Sequence, residues 1–127
     1  SLGTNLSDFF NDELPEKVVF TKSDVSVKAN EELKNEIHWI IPNAQKNAME
    51  PIVVHLGPRG QTAFDHPHDG EEFGYVLKGQ IQLHFGSKKV RVRSGEAFYF
   101  TAQAGHYISN AGEKPASVLW VSTPPSF

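Results

Sequence analysis

The sequence predicts an all-β domain, a sandwich or barrel of short antiparallel strands, and three observations lead there. From Glu50 onward, short runs rich in Val, Ile, Phe and Tyr recur at roughly eight-to-twelve-residue spacing. Turn residues separate them at Gly57-Pro58, Lys78-Gly79, Gly86-Ser87, Ser94-Gly95 and Gly112. Three runs alternate, as strands with one buried face do: Ile81, Leu83 and Phe85 oppose Gln80, Gln82 and His84; Val90 and Val92 oppose Lys89, Arg91 and Arg93; Val118 and Trp120 oppose Ser117 and Leu119. A length of 127 residues suits one domain with a single core and leaves no room for two.

The first residues read differently. Leu2, Leu6, Phe9 and Phe10 lie at helical spacing on a short segment that closes at Asn11-Asp12 and Pro15. Residues 1–14 are therefore expected as a helical stub and 15–127 as the β domain. Between Glu31 and Asn47 one apolar cluster, Ile37 with Trp39-Ile40-Ile41, predicts a single strand with loops on either side. Strands are then expected over 51–56, 72–77, 80–85, 89–93, 97–100, 107–110 and 117–122.

Twelve Lys/Arg against fifteen Asp/Glu give a formal charge of −3. No field of that sign draws phosphate backbones, so no nucleic acid is expected to bind through this fragment. The basic cluster Lys88, Lys89, Arg91 and Arg93 reads as a solvated strand edge. No apolar run approaches the roughly 18 residues of a spanning helix, and no signal peptide is recognisable. A cytoplasmic protein without a membrane partner is expected. The absence of cysteine excludes disulfides and thiolate ligands, so a metal must rest on histidine and carboxylate.

His66 and His68 are two apart, and on an extended strand both imidazoles face the same side. Glu72, after a turn at Gly70, is a third candidate ligand, and His106 a fourth. In a shuffled chain an HxH pair followed by Glu four residues on and Gly seven beyond that is expected on the order of 0.002 times. His38, His55 and His84 have no such company and read as surface or packing residues. Glu71 points to the face opposite Glu72.

The pattern of Gly60, His66, His68, Glu72 and Gly79, followed by Gly95, His106 and Asn110, resembles the two signature motifs of the cupins. Thr101 and Gln103 stand where that family usually has proline and glycine. The resemblance implies a double-stranded β-helix, or jelly-roll barrel, and a divalent Fe, Mn, Ni, Zn or Cu held by His66, His68, Glu72 and His106. It also allows, as the lesser alternative, a barrel in which these residues form a hydrogen-bonded plug without metal. Nitrogen-rich ligation suits Fe, Mn, Ni or Zn. Arg59, Gln61, Tyr75, Tyr99 and Tyr107 are candidates for the ligand pocket at the barrel mouth.

The opening Ser1 to Phe10 resembles the closing helix of the helix-turn-helix domain of Xre-type regulators, and 116–127 resembles the end of the cupin domain that follows it. This implies the C-terminal sensor half of a bacterial transcription regulator. Its DNA contact would come from a domain before Ser1. Paired half-sites imply a homodimer. A divalent cation with three neutral His and one Glu carries about +1, which favours a small anionic metabolite as ligand. The alternative is a metal-dependent cupin enzyme of the dioxygenase, isomerase or epoxidase type; the sequence names no catalytic acid or base.

Overall fold

The computed structural model describes residues 17–127, and the helical segment expected over 1–14 lies outside them. Among the described residues run β1 (Ser26–Asn30), β2 (Asn35–Trp39), β3 (Glu50–Leu56), β4 (Glu71–Lys78), β5 (Gln80–Phe85), β6 (Lys88–Arg93), β7 (Ala97–Thr101), β8 (His106–Ser109) and β9 (Ala116–Thr123). The only helical elements among them are two 3-10 turns, Lys22–Asp24 and Ala44–Lys46. The strands form a six-stranded sheet in the order β1-β2-β3-β9-β4-β7 and a three-stranded sheet in the order β6-β5-β8, all antiparallel. The expected all-β class holds.

Alternation decides what lies between the sheets. On β3 and β9 every second residue is buried, and the register sets Ile52 opposite Trp120 and Val54 opposite Val118. Val76 of β4 joins them, and Ile81, Val92, Phe98, Phe100 and Ile108 close the core from the other strands. Each such side chain contributes roughly 1.5–3 kcal/mol on burial.

Gly74 is an inward position of β4 because a ring crosses it. A Cβ there would stand 2.1 Å from Cζ of Phe98. The missing side chain lets Phe98 lie over the strand and meet Trp120 edge-on at 5.5 Å. Gly79 has a different reason: it turns β4 into β5 with φ +73°, a region that other residues enter at a cost.

Two strand expectations need correcting. β1 was not anticipated, because all five of its residues are exposed at a sheet edge and alternation cannot be seen without a buried face. Ile40 and Ile41 fall outside β2, in the bend that follows it. The basic run on β6 occupies an edge of the smaller sheet, exposed at Lys89, Arg91 and Arg93.

His38 and His55 meet on the outer face of β2 and β3, ring centroids 4.5 Å apart, with His55 Nδ1 3.0 Å from the Ser117 hydroxyl. Burial, and then the neighbouring His38, hold the His55 pKa below its ordinary value. Folding thus excludes a proton that the unfolded chain accepts. The stability cost sets in as pH falls below the unfolded pKa of about 6.5 and grows until the folded pKa is reached.

Two outcomes follow for urea denaturation. Gly74→Ala should lower stability by about 1–3 kcal/mol through overpacking against Phe98. His55→Asn should lose less stability than the parent between about pH 7 and about pH 5; equal losses would show that His55 titrates alike folded and unfolded.

Candidate metal centre

Glu72 is the second residue of β4, and the alternation that turns Glu71 outward to accept from the Tyr99 hydroxyl turns Glu72 inward. Its carboxylate is buried, at 1% exposure. Oε1 accepts from the Trp120 indole at 2.8 Å. Oε2 faces two imidazoles, His68 Nε2 at 2.9 Å and His106 Nε2 at 3.1 Å. Asp65 Oδ2 lies 3.4 Å from the first and 3.2 Å from the second. One ligand atom from each of Asp65, His68, Glu72 and His106 lies within 4.8 Å of all the others.

Backbone pairing holds the ring positions. Asp65 and His106 exchange both backbone hydrogen bonds at 2.9 Å, and His68 N–H donates to the Ala102 carbonyl at 2.9 Å. The loop before His106, where the sequence departs from the cupin pattern, tightens through Gln103 N–H to the Thr101 carbonyl at 2.7 Å. His106 begins β8 directly after it.

Proton arithmetic shows what this cluster requires. His68 Nδ1 is 2.9 Å from the Asp69 carbonyl and His106 Nδ1 is 2.9 Å from the Ala104 carbonyl. A carbonyl only accepts, so each Nδ1 carries the proton and each Nε2 of a neutral ring is a lone pair. Two lone pairs then point at a carboxylate, which is repulsive unless a cation stands among them. Protons supply one solution. Burial opposes the charge on both rings, but for His68 the Asp69 carbonyl and the charges of Asp65 and Glu72 outweigh it, and for His106 the Glu72 and Ala104 bonds do, so both pKa values are raised. A divalent metal is the other solution: the Nδ1 bonds already aim the Nε2 lone pairs, as second partners of metal-ligating histidines do. Two imidazoles and two carboxylates suit Fe(II), Mn(II) or Zn(II). The residues fit a metal.

Of the four ligands expected from sequence, the structure gathers His68, Glu72 and His106, and adds Asp65. His66 is exposed, its ring edge-on to Phe64 at 5.0 Å. The same-face rule for HxH assumed a continuous strand. Here the segment forms no continuous ladder: it has isolated bridges at Gln61 and Asp65 and single backbone bonds at Thr62 and His68, with Pro67 between the two histidines, so the alternation is not maintained. The signal for Asp65 was its place beside the pair, as a carboxylate with one residue's offset.

Beside the cluster, Asp65 and His106 form one end of a cavity of about 200 Å³ whose other walls include Ile37, Trp39, Ile52, Val54, Trp120 and Phe127. None of the five pocket candidates lines it. Arg59 pairs with Glu113 at 2.7 Å on the exposed surface, and Gln61 bridges to Ser109. Tyr75 and Tyr99 are exposed on β4 and β7, and Tyr107 stacks on His84 at 4.1 Å. Those tyrosines alternate onto the faces of the strands that turn away from Glu72.

Comparison with known proteins agrees with the fold. The sequence model of the Cupin domain matches residues 52–122. The uncharacterized protein MJ1618 of Methanocaldococcus jannaschii is 29% identical over 85 residues, 66% of this chain and 68% of that protein. The HTH-type transcriptional regulator PuuR of Escherichia coli is 24% identical over 131 residues, 98% of this chain and 68% of the regulator. A Thermotoga maritima structure described as a predicted oxalate decarboxylase superposes with a TM-score of 0.71 at 18% identity, over 84% of this chain and 98% of that one.

Competitive Zn(II) titration separates the two ligand sets: Asp65→Ala should weaken binding roughly tenfold or more, and His66→Ala should leave it nearly unchanged. The opposite order would show that the HxH pair closes on the ion. Trp120→Phe should cost about 1–3 kcal/mol in urea denaturation by leaving Glu72 Oε1 buried without a donor.

Proposed function

The chain belongs to the cupin family, and from that premise we propose that it is the ligand-sensing, metal-binding domain of a bacterial transcription regulator. The observation that carries this reading is the buried Asp65-His68-Glu72-His106 cluster opening onto a small cavity, in a chain similar to a helix-turn-helix regulator along 98% of its length. DNA contact belongs to another domain of such a protein, and its place of work is the cytoplasm. Among the described residues no helix is long and apolar enough to cross a membrane.

Sensing needs two arrangements that a ligand distinguishes, since equal affinity shifts nothing. A homodimer supplies them. The outer face of the six-stranded sheet supports one: on the neighbouring strands β4 and β7, Phe73, Tyr75, Leu77 and Tyr99 are 39%, 39%, 48% and 63% exposed, and Val27 on β1 is 53% exposed. Phe73→Lys should convert a dimer to a monomer in light scattering; a monomeric parent chain removes this arrangement.

The second reading is a metal-dependent enzyme of the dioxygenase, isomerase or epoxidase type. The cavity wall favours sensing, because outside the cluster its polar side chains are the hydroxyls of Thr62 and Ser126, neither an acid nor a base. Oxygen uptake by the Fe(II)-loaded chain would reveal a dioxygenase or epoxidase, and turnover of a candidate substrate without uptake an isomerase; a sensor shows neither.

The ligand's charge depends on which residues close the site. Three histidines and Glu72 leave about +1 around a divalent ion, which favours an anion; with Asp65 in place of His66 the sum is zero and that preference vanishes. Calorimetry of the metal-loaded chain with a panel of small acids tests the anionic form of the reading: micromolar binding supports it, and no binding by any acid counts against it.

A further inference from the structure

We propose that the ligand of this site is a small amphiphile of about seven non-hydrogen atoms, with one polar end at the metal cluster and an otherwise apolar body. The inference rests on the sensor reading and specifies what it senses.

The size comes from the cavity. Its volume is about 200 Å³, and a water-sized group occupies about 30 Å³, so about seven such groups fill it. The polarity comes from how the wall spends its hydrogen bonds. Trp39 gives its indole N–H to Glu50 at 3.1 Å, and Trp120 gives its own to Glu72 at 2.8 Å. Both indoles therefore offer a ligand only ring carbon. The Thr62 hydroxyl accepts from Ile108 N–H at 3.1 Å, and the Ser126 hydroxyl is engaged with Ser122 at 2.6 Å. A polar ligand body would lose its water and find little more than the lone pairs of two hydroxyls along this wall, at a cost of roughly a hydrogen bond for each group left unpaired. Asp65 and His106 are the titratable side chains of this wall, and they supply the polar end for a ligand's head.

The wall is also held in place. Glu50, 1% exposed, accepts from Trp39 with Oε2 and from the Phe127 backbone N–H with Oε1 at 2.8 Å. Phe127 meets Trp120 edge-on at 5.4 Å. One buried carboxylate thus fixes two of the aromatic walls at once, Trp39 and Phe127, and truncating Phe127 enlarges the space open to a tail.

Calorimetry of the Zn(II)-loaded chain with straight-chain carboxylates from acetate to octanoate, the matching n-alkylamines, and malate tests this. In the series whose head the cluster accepts, affinity should rise about threefold to fourfold per methylene until about seven non-hydrogen atoms, then fall. Phe127→Ala should move that limit to longer chains, and Ile37→Ala, at a residue that also lines the cavity, does the same should the first variant fold poorly. Affinity indifferent to tail length, malate binding more tightly than pentanoate, or a limit unmoved in both folded variants overturns the proposal and leaves the sensor reading standing. Binding by no probe removes the sensor reading with it.

Discussion

A carboxylate cut off from water must be met by donors or by positive charge, and Glu72 is the point where this domain satisfies that demand. Isolated, such a burial would cost several kcal/mol. Here one oxygen takes the Trp120 N–H and the other faces His68 and His106. These partners come from β9, from the loop before β4 and from the start of β8, so the two sheets and that loop are joined at one carboxylate. Breaking any one contact leaves the others with an uncompensated charge, which is why the site and the fold cannot be varied independently. The Nδ1 bonds of the two rings to carbonyls add the decisive constraint: they direct two lone pairs at a negative group, an arrangement that asks for a cation.

Much of this was legible in the sequence, and for identifiable reasons. The strands of the core were readable because apolar runs such as 51–56 are bounded by turn residues and because Val118 and Trp120 alternate with their neighbours, and β3 and β9 do bury every second residue. Glu72 and His106 were readable because each stands at the start of a regular strand, second in β4 and first in β8, where the two-residue period holds. His66 and Asp65 mark where that reasoning stops. Their segment is pinned at single bridges and interrupted by Pro67, and a shift of one residue exchanges a carboxylate for an imidazole at the site. β1 was hidden for a related reason, since an edge strand exposed at every position carries no hydrophobic period. The tyrosines expected at the pocket belong to outward faces; the aromatic walls are Trp39, Trp120 and Phe127, and two of these sit on inward positions of β2 and β9 that the alternation marks as core.

The same carboxylate logic recurs at Glu50, which ties Trp39 to the end of the chain. Two buried acids thus divide the barrel interior into a polar end, which asks for a cation, and an apolar chamber whose donors are already engaged. That division fits a domain that holds a ligand more readily than one that transforms it, and it makes the ligand's shape a consequence of the wall while its head group is a matter for the cluster.

The most direct measurement is anomalous diffraction from crystals of the chain grown with Mn(II). The account predicts one ion about 2.0–2.3 Å from a Glu72 oxygen and from Nε2 of both His68 and His106, with the Trp120 N–H still on the other Glu72 oxygen. At saturating Mn(II), an ion bound elsewhere, or a cluster whose imidazoles remain bonded directly to Glu72, would contradict it.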